Sequence, residues 1–199
     1  MDFVILDREH GPLSMETIST MVMACEAENC TPLVRVRNNE ASEILNALDS
    51  GAHGIIVPHI ETAADAQKAV SFIKYPPAGQ RGFSPYTKAG LYQGGKGYTS
   101  KANQETMVIL IVEGQKGLEE LDKIIAIPGI DVIYIGAYDL SQTLGIPGEI
   151  HSVKVKEQIE KAVSKIIAKN IVAGSFVAKT KEDIDWLKKI GVRFITTWV

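Results

Sequence analysis

Short apolar runs rich in valine and isoleucine recur along the chain, each followed by a polar turn and a segment with helical periodicity. Their nearly continuous apolarity is typical of parallel strands that are covered on both faces. Seven strands are predicted, at residues 3–7, 32–37, 54–59, 107–113, 131–136, 171–177 and 193–198. The alternation predicts an α/β fold with right-handed crossovers, either a barrel or a doubly wound sheet.

The residues that follow the strands favour the barrel. No predicted strand leads into a GxGxxG or P-loop pattern, which a nucleotide-binding doubly wound sheet would need. Polar residues suited to catalysis instead follow several different strands, as they do at the carboxyl-terminal mouth of a (β/α)8 TIM barrel. Residues 1–199 are therefore predicted to form a single TIM-barrel domain.

The number of predicted strands is one short of a complete barrel. A full barrel has eight strand–helix pairs in about 250 residues, whereas this chain has 199 residues and begins and ends within predicted strands. Residues 78–103 contain glycine and lack periodicity, so we predict a functional loop there rather than a further strand. We expect a truncated barrel, or one whose open edge is covered by a partner chain.

Composition and charge exclude several classes of partner. The net charge of −3 comes from interspersed acidic and basic residues, which favours neither nucleic acid nor an anionic membrane as a partner. The apolar runs are too short to span a bilayer, and the N-terminal sequence lacks the features of a signal peptide. Cys25 and Cys30 match neither a zinc spacing nor a disulfide framework, so a cytoplasmic protein with reduced thiols is predicted.

The first two predicted strands end in residues that suit proton transfer and anion binding. His10 follows Asp7 by three residues, so the carboxylate could orient the imidazole as an acid or base; a helix-capping turn is an equally good interpretation. Arg35 is one of two arginines whose side chains alternate along the second strand. A guanidinium inside the barrel needs an anion, either a bound substrate or a structural partner such as Glu9 or Glu113.

Two carboxylates follow successive predicted strands. Glu113 ends the fourth strand, and Asp139 lies three residues beyond the fifth. Carboxylates beside apolar strands are costly unless a cation joins them, and Mg²⁺ or Mn²⁺ is commonly held by a few carboxylates and several waters. The alternative is that each residue caps the helical segment that follows it.

Three further residues are weaker candidates. Lys88 and Lys179 could form a Schiff base with a carbonyl substrate, but neither lies within an apolar strand of the kind that activates a lysine. His59 follows the third predicted strand, where a packing role is at least as good an interpretation as a catalytic one.

An ordered set of segments connects this sequence with a known family. The segments are residues 6–12, 33–35, 48–52, 56–58, 75–82, 112–113 and 139–141, and together they extend over nearly the whole chain. In them the sequence resembles the HpcH/HpaI-type class II 2-oxo-acid aldolases. This metal-dependent, 4-hydroxy-2-oxoheptanedioate aldolase-like family belongs to the phosphoenolpyruvate/pyruvate-binding barrels. Its members begin with a strand and a helix before the segment that matches Asp7 and finish with a helix after the last strand, so the resemblance implies a (β/α)8 barrel that lacks its first strand–helix pair and last helix.

The resemblance implies roles for the catalytic and metal-binding candidates. Glu113 and Asp139 match the two metal ligands, with Mg²⁺ or Mn²⁺ as the expected ion and Co²⁺ as a further choice. His10 matches the general acid/base and Asp7 its partner. Arg35 matches the arginine that binds the pyruvate oxygen and stabilises the enolate.

The resemblance also implies substrate-binding residues and an assembly. Glu9 matches a group that contacts metal-bound water, and Asp49 matches a residue that reaches a neighbouring subunit's site. The backbone at Tyr138 and Asp139 matches the cradle for the substrate carboxylate. Members of the family form homo-oligomers, so a hexamer is expected.

The implied activity is that of a lyase that cleaves or forms 4-hydroxy-2-oxo acids through a pyruvate enolate, with a 2-oxo acid and an aldehyde as partners. Two alternatives are a citrate-lyase-like or decarboxylating pyruvate/oxaloacetate enzyme and a non-catalytic 2-oxo-acid-binding barrel. Ile111, Gly114 and Tyr138 depart from the family's usual residues, so the resemblance does not predict which aldehyde is used.

Overall fold

The computed structural model describes residues 2–176 and 180–197. It divides into two compact units, the first formed by Met1–Pro58 and Gln67–Val108 and the second by His59–Ala66 and Ile109–Val199. Because each unit is compact in its own right, the single domain expected from the sequence stays a prediction.

The first unit holds three parallel strands that are hydrogen-bonded in chain order. The strands are β1 (Phe3–Asp7), β2 (Thr31–Arg35) and β3 (Gly54–Val57). The helices are α1 (Met15–Ala27), α2 (Ala41–Asp49), α3 (Ala63–Ile73, whose start belongs to the second unit) and α4 (Tyr98–Glu105). Leu6, Leu33 and Ile55 are almost fully buried, as expected of strands covered on both faces. Asp7 and Arg35 are register partners, so β1 and β2 end at the same level.

The second unit holds four parallel strands, again neighbours in chain order. The strands are β4 (Met107–Val112, whose first two residues belong to the first unit), β5 (Val132–Ile135), β6 (Val172–Phe176) and β7 (Phe194–Thr196). The helices are α5 (Gln115–Glu119), α6 (Leu121–Ile124), α7 (Ala137–Thr143), α8 (Val153–Ile167) and α9 (Lys181–Ile190). Val112 and Ile135 are register partners, so β4 and β5 also end together. No helix within residues 2–176 and 180–197 combines the length and apolarity that a membrane crossing needs.

Within the described residues, the order of elements confirms the predicted fold class, a parallel α/β fold of the (β/α) barrel type with seven strands. β1 has its predicted bounds, and the other strands are shorter than predicted, chiefly at their carboxyl ends. β3 ends at Val57 because His59 adopts a left-handed backbone conformation with φ 56°, and β4 ends one residue before Glu113. Val177 and Trp198, the predicted last residues of two strands, lie outside the described residues.

The segment 78–103 contains no strand, in agreement with the sequence. It does contain a short 3₁₀ turn at Lys88–Gly90 and most of α4, which the sequence did not predict. None of the residues of α4 is buried. Polar and ring contacts hold the helix at the surface. The Asn103 side chain exchanges hydrogen bonds with the backbone of Tyr75, and Lys74 donates to the carbonyl oxygens of Asn103 and Thr106. The ring of Tyr98 lies against the rings of Tyr75 and Phe83.

Candidate active site

Asp7 and Arg35 lie side by side at the carboxyl ends of β1 and β2. Arg35 Nε donates to Asp7 Oδ1 at 2.8 Å and Nη2 donates to Oδ2 at 2.5 Å, which makes a bidentate pair. Arg35 Nη1 lies 3.0 Å from Oε2 of Glu9. Because two carboxylates hold it and only 22% of its side chain is exposed, the guanidinium has one defined orientation.

Asp7 also organises the turn that follows β1. Its Oδ1 accepts the backbone N–H groups of Glu9, at 2.9 Å, and His10, at 3.4 Å. The imidazole of His10 is mostly exposed, and its Nε2 lies 3.8 Å from Oε2 of Glu9. Asp7 therefore contacts His10 through the backbone, and the carboxylate that the imidazole faces in this unit is that of Glu9.

The surroundings of Asp7 change its acidity. Burial by itself raises the pKa of this carboxyl group, but the hydrogen bonds and positive charge of Arg35, with the N–H groups of Glu9 and His10, outweigh burial and hold the pKa below its ordinary value of 3.8. Asp7 is therefore a carboxylate at neutral pH, suited to hold a cation and not to donate a proton.

This lowered pKa predicts how stability depends on pH. The contribution of ionised Asp7 is fully present above the unfolded-state pKa near 3.8 and is lost as the pH falls through the lower folded-state pKa. We expect the free energy of unfolding of the wild type to exceed that of Asp7→Asn at neutral pH, and the difference to shrink below about pH 4. Urea unfolding across a pH series measures both values. A difference that stays constant down to about pH 3 would contradict the assignment.

Arg8 anchors the same turn from the inside. Its side chain is buried, Nη1 lies 2.5 Å from Oε2 of Glu43 on α2, and Nε donates to the carbonyl oxygen of Leu13 at 3.3 Å. Since Arg8 stands between Asp7 and Glu9 in the sequence, these contacts fix the backbone that carries both carboxylates. Sequence reasoning missed this residue, although a cation between two acids directly after an apolar strand is an available signal.

We expect Arg8→Met to lower the free energy of unfolding by about 2 kcal/mol, because it leaves the Glu43 carboxylate without the cation that compensates it. Lys101→Met is the matched control, since the Lys101–Glu105 pair is long, at 3.7 Å, and exposed. The control should change stability by less than about 0.5 kcal/mol. Urea unfolding of the two variants gives the comparison, and equal losses would show that Arg8 is not an anchor.

Glu113 leaves the apolar strand β4 with only 7% of the residue exposed. Its Oε1 accepts the backbone N–H of His59 at 3.0 Å, and Nδ1 of the same histidine lies 2.9 Å from that oxygen. A Cβ placed on Gly136 would lie 2.7 Å from Glu113 Cβ and 2.9 Å from Oε2. Glycine at position 136 therefore allows Glu113 to pack closely against the backbone, where the Cβ of any other residue would collide with it.

Gly136 also connects Glu113 with the next predicted ligand. It donates its N–H to Val112 at the end of β4 and is the N-cap residue of α7, whose first turn contains Asp139. In the same turn, the half-exposed ring of Tyr138 packs against Phe176. A buried carboxylate that is held in one orientation, and that packs against the N-cap glycine of a helix whose first turn carries a second carboxylate, suits a hard divalent cation.

The remaining candidates are engaged elsewhere or lie outside the described ranges. Asp49 Oδ1 accepts from Arg81 Nη2 at 2.7 Å. Nζ of Lys88 lies 2.6 Å from each carboxylate oxygen of Glu26, so Lys88 is held as an ammonium partner rather than poised as a nucleophile. Lys179 lies outside the described residues. His59, for which packing was an equal expectation, is instead exposed over 63% of its side chain and contacts Glu113.

Comparison with known proteins gives consistent matches. A family model described as HpcH/HpaI aldolase/citrate lyase matches residues 1–197. The chain is 35% identical over 162 residues to a 2-dehydro-3,6-dideoxy-6-sulfogluconate aldolase of Pseudomonas putida, covering 81% of this chain and 64% of the relative. It is 35% identical over 144 residues to a hydroxypyruvate/pyruvate aldolase of Rhizorhabdus wittichii, covering 72% of this chain and 57% of the relative.

The similarity extends to solved structures. An HpcH/HpaI aldolase from Desulfitobacterium hafniense matches with a TM-score of 0.93 and 27% identity, covering 99% of this chain and 76% of that chain. In length, the chain spans less than two thirds of each of the two aldolases named before it, those from Pseudomonas putida and Rhizorhabdus wittichii.

Proposed function

Because the chain belongs to the HpcH/HpaI aldolase/citrate lyase family, we propose that it is a metal-dependent aldolase that cleaves and forms 4-hydroxy-2-oxo acids through a pyruvate enolate. The relatives named above are aldolases, and the name of one of them gives hydroxypyruvate and pyruvate as its substrates. Their names support a short 2-oxo acid as the nucleophilic partner of this chain.

The observation that carries the proposal is the fixed guanidinium of Arg35. Asp7 and Glu9 hold it at the carboxyl end of β2, where ligands bind in parallel α/β folds. A cation that is oriented before the reaction stabilises charge that develops on an oxygen without reorganising in the transition state. We assign Arg35 to the 2-oxo group, which becomes the enolate oxygen when the carbon–carbon bond breaks.

The proposed reaction needs one proton acceptor and one proton donor. In the cleavage direction the bond between carbons 3 and 4 breaks, its electron pair forms the enolate, and the 4-hydroxyl group loses a proton as it becomes the aldehyde. The enolate then takes a proton at carbon 3 to give pyruvate. His10 is mostly exposed and faces Glu9, so we assign it to accept the first proton, directly or through water.

The second unit supplies the proposed metal-binding residues. Glu113 and Asp139 would hold Mg²⁺ or Mn²⁺, with Co²⁺ as a further choice, and the ion would supply Lewis-acid stabilisation of negative charge. The backbone at Tyr138 and Asp139, in the first turn of α7, is assigned to the substrate carboxylate.

Assembly and location extend the proposal. A homo-oligomer, with a hexamer as the expected form, would allow Asp49 to serve a neighbouring subunit, and its contact with Arg81 keeps this carboxylate oriented. A cytoplasmic location suits the two free cysteines, Cys25 and Cys30.

The test is proton NMR of pyruvate in D₂O with the wild-type protein, with added Mg²⁺ or Mn²⁺ and, separately, with excess EDTA. Loss of the methyl signal that requires metal and is abolished in His10→Ala supports the enolate mechanism. Exchange that survives EDTA would contradict the metal assignment, and the absence of exchange under all conditions would favour a binding protein. Carbon–carbon cleavage that requires an acyl-CoA would point to a citrate-lyase-like reaction instead.

A further inference from the structure

His59 has an unusual backbone conformation for its position. It follows β3 and has φ 56°, in the left-handed region that few residues other than glycine adopt, although histidine tolerates it better than most. The next residue, Ile60, donates its N–H to the carbonyl oxygen of Ile111 in β4, so the chain is fixed directly after the turn. Conformations of this kind are unfavourable by themselves and persist where the surrounding structure enforces them.

The conformation of His59 directs both its backbone N–H and its imidazole to the same carboxylate oxygen of Glu113. Its backbone N–H donates to Glu113 Oε1 at 3.0 Å, and its imidazole Nδ1 lies 2.9 Å from the same atom. The other oxygen of Glu113, Oε2, lies so near Gly136 that a Cβ there would come within 2.9 Å of it. His59 on one side and the backbone of Gly136 on the other therefore hold this buried carboxylate in one orientation.

We propose that His59 is a positioning residue for metal binding: its backbone N–H and Nδ1–H hold Oε1 of Glu113 and so fix the orientation in which this carboxylate meets the divalent ion. The proposal rests on the proposed function, which makes Glu113 a metal ligand. A carboxylate group that rotates freely must be ordered when it binds a metal ion, and this loss of conformational entropy lowers the affinity. Hydrogen bonds that already hold one oxygen remove the loss before the metal binds. Hydrogen-bond partners of metal ligands commonly change metal affinity by about 10–100-fold.

Two substitutions distinguish the contribution of the His59 imidazole to metal affinity from that of the backbone turn. His59→Gly keeps the turn, since glycine adopts positive φ freely, but removes the side-chain donor. His59→Asn retains an N–H donor at nearly the same distance from the backbone as Nδ1, and asparagine also tolerates the left-handed region. His53→Asn, at an exposed histidine just before β3, is the matched control.

The experiment is a titration of each protein with Mn²⁺ at one fixed pH, in which electron paramagnetic resonance reports the free ion. We expect the dissociation constant of His59→Gly to rise about 10–100-fold and that of His59→Asn to stay within about threefold of the wild type. The His53→Asn control should bind as the wild type does. Thermal unfolding of the metal-free proteins shows whether any loss of affinity is a loss of folding.

Three outcomes would overturn the inference. If the wild type binds Mn²⁺ and His59→Gly binds it equally well, His59 has no positioning role and the proposed function stands. If the Asn variant loses as much affinity as the Gly variant, and loses far more for Co²⁺ than for Mg²⁺, the imidazole is itself a ligand, because imidazole favours the softer ion. If the wild type binds no divalent ion, the metal-dependent function fails together with this inference.

Discussion

Arg35→Lys is expected to lower the rate of metal-dependent pyruvate methyl-proton exchange by about 10²–10³-fold, the usual loss when one preorganised donor to a developing oxyanion is removed. A lysine ammonium retains the charge but is a point donor on a flexible chain. It cannot reproduce the planar contacts that Nε and Nη2 make with Asp7 while Nη1 faces Glu9. The rate of methyl-proton exchange, measured by NMR at saturating metal, provides the comparison.

The chain offers a matched control two residues away. Arg37 is exposed and lies beyond the end of β2, so Arg37→Lys changes the same functional groups on the same segment outside the Asp7 contact. It should leave the exchange rate within about twofold of the wild type, as expected of a surface substitution. Should Arg35→Lys retain more than about a tenth of the wild-type rate, the guanidinium would not be the enolate-stabilising group.

The strands could be predicted because the relevant signals are local, whereas the pairing of Asp7 with Arg35 was not predicted. Near-continuous apolar runs predict parallel strands, and polar residues at the ends of such runs predict residues at one end of the sheet. The direct contact of Asp7 with Arg35 then depends on the β1–β2 register, which places the last residues of both strands opposite each other. An ion pair of Arg35 with Glu9 was among the expectations, and the structure contains both contacts.

Which carboxylate faces His10 could not be predicted, because spacing fixes proximity and not direction. A separation of three residues brings the backbone of His10 to Asp7, as the hydrogen bond to Oδ1 shows. The direction of the imidazole depends on the turn, which the buried contact of Arg8 with Glu43 fixes. That contact joins residues 35 positions apart in the sequence, and no periodic pattern relates them.

His59 and α4 show two further limits of sequence patterns. The sequence made His59 only a weak candidate, because its contact with Glu113, 54 positions away, depends on a left-handed turn that a Pro-His dipeptide does not specify. Helix α4 has no buried residue, so it lacks the apolar face on which periodicity depends. The amide of Asn103, paired with the backbone of Tyr75, holds it in place.

Glu113→Gln is expected to remove metal-dependent exchange almost entirely, by about 10²-fold or more, because a neutral amide is a poor ligand for Mg²⁺ or Mn²⁺. The substitution preserves size, so Gly136 still accommodates the side chain, and the amide oxygen can still accept the N–H of His59. The loss should therefore come from charge and coordination while the fold is retained. Exchange rates by NMR and Mn²⁺ affinity measured on the same sample report the two effects.

Glu119→Gln separates the role of Glu113 from a general loss of negative charge. Glu119 is exposed on α5 and pairs with Gln115, so its substitution removes one charge at a short distance along the same chain segment. We expect Glu119→Gln to keep both exchange and Mn²⁺ affinity within about twofold of the wild type. Higher Mn²⁺ concentrations should restore part of the exchange in Glu113→Gln if Asp139 retains weak binding. Full activity of Glu113→Gln in limiting metal would mean that this carboxylate is not a ligand, and the buried contact with His59 would then be structural.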